Sequence, residues 1–161
     1  VAYQGLTGWA YGGYLAVDGV AGWASGGHTS VSASAERWID FNRSSQMVTL
    51  YEGDYAIASY WGAIGGDSSS YGVFSSPVGT HYVYSKYAPI SWTDWGQTYI
   101  EYWVGFDPER SNGFHSYSLD AAGNVLPNGA GATGGCIALD LGAAATVFDF
   151  ATVGMRVEVH W

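Results

Sequence analysis

From Arg37 onward the chain alternates apolar and polar residues in short runs, each closed by a cluster of turn formers, and this period of two restricts it to β structure. Trp38-Ile39-Asp40-Phe41-Asn42 reads as a strand, Arg43 to Gln46 as its turn, and Met47-Val48-Thr49-Leu50-Tyr51 as the return strand of a hairpin. After a Glu52-Gly53-Asp54 turn, Tyr55–Trp61 is expected as the next strand. Residues 65–70 are expected to loop out, and Ser76-Pro77-Val78-Gly79-Thr80 to turn tightly into a strand over His81–Ser85. The densely apolar run Tyr99–Phe106 predicts a central strand, Phe114–Tyr117 a short one, and residues 120–133 a loop. The spacing of Leu141, Ala144, Ala145 and Phe148 behind Asp140 predicts one helix over 140–151, with Asp140 as its N-cap. Arg156–Trp161 alternates again as a closing strand. Composition agrees: aromatics make up 17% of the chain and glycines number 24. Charged residues reach only 12%, against roughly 25% in an average soluble protein. The expected fold is mainly β, a sandwich of mixed strands with one helix.

The 161 residues suffice for one domain of ordinary size with a sizeable core. Residues 1–17 read as short strands around glycine turns, too few to build a core alone. Residues 18–36, rich in Gly, Ser and Ala, have the composition of a flexible connector, with His28 solvated inside it. Residues 37–161 then form the main domain.

A net charge of −9 with only five basic residues excludes nucleic acid as a partner, because phosphates need a Lys/Arg surface. No run approaches the roughly 20 apolar residues that span a bilayer, and no basic-then-apolar leader opens the chain, so a soluble protein is expected.

Cys136 is the only cysteine, set in Thr133-Gly134-Gly135-Cys136-Ile137, and His115 lies 21 positions before it in Gly113-Phe114-His115-Ser116. A lone thiol cannot form an intrachain disulfide and leaves the compartment open. Embedded in glycines, with a histidine available, it is a candidate nucleophile; it is equally a small buried hydrophobe, and the motif alone leaves both open. A nucleophilic thiol needs a base, oxyanion donors and an exposed sulfur. His115 is the candidate base, Gly134 and Gly135 let backbone N–H groups approach a substrate, and the following helix is expected to bring its positive end near the thiol.

The ordered blocks Ser76-Pro77-Val78-Gly79-Thr80-His81, Gly113-Phe114-His115-Ser116 and Thr133-Gly134-Gly135-Cys136-Ile137-Ala138-Leu139 resemble the L,D-transpeptidase catalytic domain of bacterial cell-wall enzymes, the YkuD family. The hairpin from Arg37 to Gly53 and the strand Val153–Val159 extend the resemblance over residues 37–161. It implies Cys136 as nucleophile, His115 as base, the Ser116 backbone carbonyl as the group that orients the imidazole, and the N–H groups of Gly135 and Cys136 as oxyanion donors. Thr133, Gly134 and Tyr117 are then expected to line the substrate. Gly134 stands where the family usually has a histidine, and Ala138 where it has Arg or Asn. The implied reaction is acyl transfer on peptidoglycan stem peptides, expelling D-alanine through a thioester, outside the cytoplasm in the cell envelope. Water in place of an amine acceptor would make the chain an L,D-carboxypeptidase, and a fold kept without chemistry would make it a wall-binding module. Carbapenems are the implied inhibitors.

Separately, Tyr3 to Leu15 resembles the last hairpin and closing strand of a bacterial SH3-like (SH3b) module; the alternative is a hairpin of the main domain.

His81 is expected at a surface strand position and His160 in solvent. Four scattered histidines and one cysteine lack zinc spacing, so no metal is expected, nor any cofactor, and a monomer is expected. Asp107, Glu109 and Asp120 sit in turn contexts where charge solvates a loop. Trp92, Trp95, Tyr99 and Trp103 read either as core or as the wall of a groove.

Overall fold

In the computed structural model the described residues are 2–3, 6–7, 35–64, 76–130 and 133–161. The chain divides into two compact units, residues 1–30 and 31–161. In the first, strands β1 (Ala2–Tyr3) and β2 (Leu6–Thr7) pair antiparallel. The remaining expectations for residues 1–34, including the SH3b-like strands, the connector and His28, lie outside the described residues.

The second unit is built on a hairpin, β3 (Arg37–Asn42) and β4 (Met47–Glu52), turned at Gln46 with φ +59°. Strand β5 (Tyr55–Trp61) continues the meander. Then come β6 (Gly79–Tyr82), β7 (Ser85–Tyr87), β8 (Ser91–Thr93), β9 (Thr98–Ile100), β10 (Trp103–Asp107), β11 (Asn112–Ser116), β12 (Ile137–Leu139), α1 (Leu141–Phe150) and β13 (Arg156–His160). Two mixed sheets result, a five-stranded one in the order β5-β4-β3-β13-β6 and a four-stranded one in the order β12-β11-β10-β7, beside the small hairpin β8-β9. Strands β3/β13 and β11/β12 run parallel and the other pairs antiparallel.

The alternation seen in the sequence is the burial pattern. Ile39, Phe41, Val48, Leu50, Val157 and Val159 face inward from the larger sheet, and Val104, Phe106, Phe114, Ile137 and Leu139 from the smaller. On the outer face, Trp38 stacks on Tyr51 with centroids 4.3 Å apart, and Arg156 lies over Trp38 while bonding Glu36 and Glu158. His160, half exposed, is held by Asp40 at 3.0 Å, which with its own carbonyl contact at Trp161 raises its pKa.

Asp140 caps α1 by accepting from the Ala143 N–H at 3.0 Å. The helix packs on β10, β11 and β12, but through Ala143, Ala144, Val147 and Phe150. Leu141, expected on that face, is 38% exposed, so the apolar stripe is rotated from the one read in the sequence. Three further expectations change. Tyr99–Phe106 is two strands, broken where Tyr102 takes φ +57°. His81–Ser85 is likewise divided between β6 and β7. His81 also turns inward, in register with buried Val157, its Nε2 2.8 Å from the Pro77 carbonyl and its ring edge-on to Phe106.

Candidate active site

Strand β12 carries the cysteine motif and is gripped on both edges. On one side it pairs parallel with β11, in register Phe114↔Ile137, His115↔Ala138 and Ser116↔Leu139. On the other, Ala138 exchanges two backbone hydrogen bonds with Ala63, of 2.7 and 2.9 Å. All three residues are buried, so the backbone just after Cys136 has little freedom. Extending the register by one residue sets Cys136 level with Gly113. Because side chains alternate and Phe114 and Ile137 fill the core, Gly113, His115, Cys136 and Ala138 share the opposite face. The sequence-expected pair is thereby brought onto one face of adjacent strands, two residues out of step.

His115 is buried and its orientation is fixed. Nδ1 lies 2.6 Å from the Ser116 carbonyl. That carbonyl is itself held, since Ser116 N–H donates to Glu101 O at 2.9 Å, Glu101 N–H donates to Ser116 Oγ at 2.9 Å, and Ser116 Oγ donates to Tyr117 O at 2.9 Å. A carbonyl only accepts, so Nδ1 carries the proton and Nε2 presents a lone pair. Burial lowers the imidazole pKa below the usual histidine value, partly opposed by the Ser116 bond. Trp103, opposite His115 on β10, stacks beside it with centroids 6.2 Å apart and is anchored by Nε1–H to Ser85 Oγ at 3.0 Å.

The thiol rests against the β10–β11 turn. Sγ donates to the Ser111 carbonyl at 3.8 Å rather than to His115, and Ser111 has φ +55°. Burial pushes the Cys136 pKa up to about 11; a Gly113 backbone hydrogen bond opposes this and the Asp107 carboxylate adds to it. Asp107 does not solvate a loop as expected. It is 2% exposed, bonded to Asn112 Nδ2 at 3.1 Å and near Arg110 at 3.5 Å, in reach of the thiol. The helix end does not reach the thiol either. Strand β12 intervenes, and the four residue steps from Cys136 to Asp140 span about 13 Å in extended chain, while a helix dipole acts over its first turn.

The loop before Cys136 is organised by two hydroxyls. Thr133 Oγ1 donates to the Cys136 carbonyl and lies 3.4 Å from the Gly135 nitrogen, a position that ties the loop together. Ser76 Oγ donates to the Gly135 carbonyl from 59 residues away. Gly135 has φ +131°, a conformation open to glycine. At Gly134 a Cβ would fall 2.1 Å from the ring of Trp95, so the absent side chain leaves the seat of that indole. Trp95, at the tip of the β8–β9 hairpin and 73% exposed, therefore rests on the residue two before the cysteine. On the far side, a Cβ at Gly113 would meet the Trp103 ring at 2.8 Å. Two indoles are thus seated on glycines, Trp95 on Gly134 and Trp103 on Gly113. Tyr117 lies past the end of β11; burial, then the charge of Asp140, raises its pKa.

The Gly134 seat makes a direct prediction. Gly134→Ala should displace Trp95 instead of unfolding the chain, because the clash is with the far end of an exposed side chain. Tryptophan fluorescence should change with Tm lowered by no more than a few degrees, and in a Trp95→Ala background the same Gly134→Ala substitution should leave the spectrum as it was. An unchanged spectrum in the single variant would rule the contact out.

Ala138, 2% exposed, lies directly across from His115 and leaves that flank of the imidazole apolar. Among the described residues no three His, Cys, Asp or Glu side chains group to hold a metal ion, and no helix is long and apolar enough to cross a membrane.

A mixed β-sandwich presenting a cysteine and an oriented histidine from adjacent parallel strands is the class that this fold and site define. Residues 36–159 match the model of YkuD, the L,D-transpeptidase catalytic domain, and the chain belongs to that family. Among solved structures it is similar to an L,D-transpeptidase from Xylanimonas cellulosilytica, with TM-score 0.61, 15% identity, and coverage of 80% of this chain and 62% of that one. L,D-transpeptidase 1 of Mycobacterium tuberculosis gives TM-score 0.57 and 20% identity over 79% and 63% of the two chains. A fused zinc-dependent amidase/peptidase/peptidoglycan-binding-domain protein from Clostridium acetobutylicum gives 0.59 and 19% over 77% and 51%. At these identities the likeness is one of fold, and the chain spans between 51% and 63% of those three proteins. No curated protein sequence matches.

Proposed function

We propose that this chain is a cysteine acyltransferase acting on peptidoglycan stem peptides in the bacterial cell envelope, with Cys136 as nucleophile and His115 as base. The observation that carries the reading is the Nδ1 bond to Ser116, which leaves Nε2 bare on the face that bears Cys136. Family membership supplies the substrate class.

The electrostatics favour a neutral resting pair. With the thiol pKa near 11 and the imidazole below its usual value, a thiolate–imidazolium pair is not populated beforehand, so the proton leaves as the sulfur attacks. The thiol turns off the Ser111 carbonyl, Nε2 takes its proton, and sulfur adds to the carbonyl joining an L-centred diamino acid residue to terminal D-alanine. The oxyanion is received by the Cys136 N–H. Collapse breaks the amide, the proton on Nε2 passes to the departing amine of D-alanine, and a thioester remains on Cys136. An amine from a second stem then attacks, gives its proton to Nε2 and displaces the thiol, forming the cross-link.

Incubation with a disaccharide tetrapeptide tests the proposal. D-alanine release together with a cross-linked product supports transpeptidation, release with a free tripeptide end supports the carboxypeptidase, and no release supports a wall-binding module. The observation favouring that last reading is the sulfur's bond to Ser111 with a raised pKa.

A further inference from the structure

We propose that Ser76 is a positioning residue that aims the Cys136 N–H at the oxyanion; the inference rests on the acyl-transfer reading above. Ser76 is fully buried, and its hydroxyl donates to the Gly135 carbonyl. In a trans peptide the C=O of one residue and the N–H of the next point in opposite directions, so pinning the Gly135 carbonyl toward Ser76 turns the Cys136 N–H the other way. Without such an anchor this peptide is poorly determined. It follows two glycines, and Gly135 at φ +131° has access to several conformations that a side chain would forbid.

The anchor is well supported. Ser76 opens the Ser76-Pro77-Val78-Gly79 turn, in which Pro77 fixes its own φ and offers its carbonyl to His81 Nε2 at 2.8 Å. The hydroxyl is thereby tied to β6 of the larger sheet, while the peptide it holds leads into β12 of the smaller one. On the other side of the nucleophile, Thr133 Oγ1 holds the Cys136 carbonyl. Two hydroxyls thus clamp the carbonyls before and after the sulfur-bearing residue, and the N–H between them keeps one direction. Ser76 touches no reacting atom; it acts through the Gly135–Cys136 peptide.

Two reactions of the same thiol separate this role from a general structural one. Acylation by a carbapenem passes through an oxyanion, whereas alkylation by iodoacetamide displaces iodide at an sp³ carbon and forms none. Ser76→Ala should slow carbapenem mass addition by about 10- to 100-fold, below the loss for deleting an oxyanion donor outright, and leave the iodoacetamide rate within twofold. Ser76→Thr, which keeps the hydroxyl, should retain acylation, and Ser76→Val, its isostere without one, should not; this pair decides the matter if the alanine variant does not fold. Acylation equal to wild type in Ser76→Ala, or acylation and alkylation falling together, would overturn the role. If the wild type itself gains no carbapenem mass, the acyl-transfer reading fails and the Ser76 role with it, whereas wild-type acylation that Ser76→Ala leaves intact sinks Ser76 alone.

Discussion

His115→Gln should slow carbapenem acylation of Cys136 by about a thousandfold at neutral pH, within the range that positioned general bases supply. A pKa near 11 leaves almost no thiolate at neutral pH, so the attack depends on proton removal within the encounter. His115 is suited to this because the Ser116 carbonyl holds Nδ1–H and burial keeps the ring neutral. The histidine pKa is lowered in the folded protein, so the working, neutral form persists below pH 6.5 and the wild-type rate falls only at a pH beneath that of a free histidine. In His115→Gln that acid limb should vanish, and the residual rate should instead climb toward alkaline pH as the thiol ionises. A variant within tenfold of wild type, or one that keeps the acid limb, would show that another group takes the proton.

Gly135→Ala carries the second large effect. A side chain at φ +131° is strained by about 1–3 kcal/mol, and the strain sits on the peptide that precedes Cys136. The backbone relieves it by rotating Gly135 toward a permitted φ, which swings the Gly135 carbonyl off Ser76 and the Cys136 N–H off its line. Acylation should therefore fall by about 100-fold or more, as for loss of an oxyanion donor, with Tm down by several degrees. Thermal unfolding and acylation kinetics on the same preparation check both parts. Wild-type acylation in this variant would mean that the N–H direction does not matter.

The hairpin of β3 and β4 was legible because alternation and a turn cluster say the same thing locally, and Asp140 was legible as a cap because capping needs only its nearest neighbours. Strand β12 was not. Ile137, Ala138 and Leu139 are all buried, so no alternation marks them, and their pairing with β11 and Ala63 is long-range. The break at Tyr102 was hidden because a tyrosine at positive φ carries no glycine to announce it. At the site, the cysteine and histidine were visible as a motif, but the groups around them were not. Ser76 reads in the sequence as the start of a turn and of a resembling block, since nothing local reveals that its hydroxyl reaches Gly135. Gly134 read as a missing histidine, whereas in space it is the seat of Trp95 from a separate hairpin. The dipole expectation failed because sequence distance between Cys136 and the helix ignores the strand that spends it.

The central claim is that Cys136 becomes acylated by a stem peptide. Acid quenching of the protein with a disaccharide tetrapeptide, followed by proteolysis and mass spectrometry, tests it most directly. The peptide containing Cys136 should gain the mass of the donor less D-alanine, hydroxylamine should remove this mass, and Cys136→Ala should neither gain it nor release D-alanine. Release of D-alanine by Cys136→Ala at the wild-type rate would contradict the account.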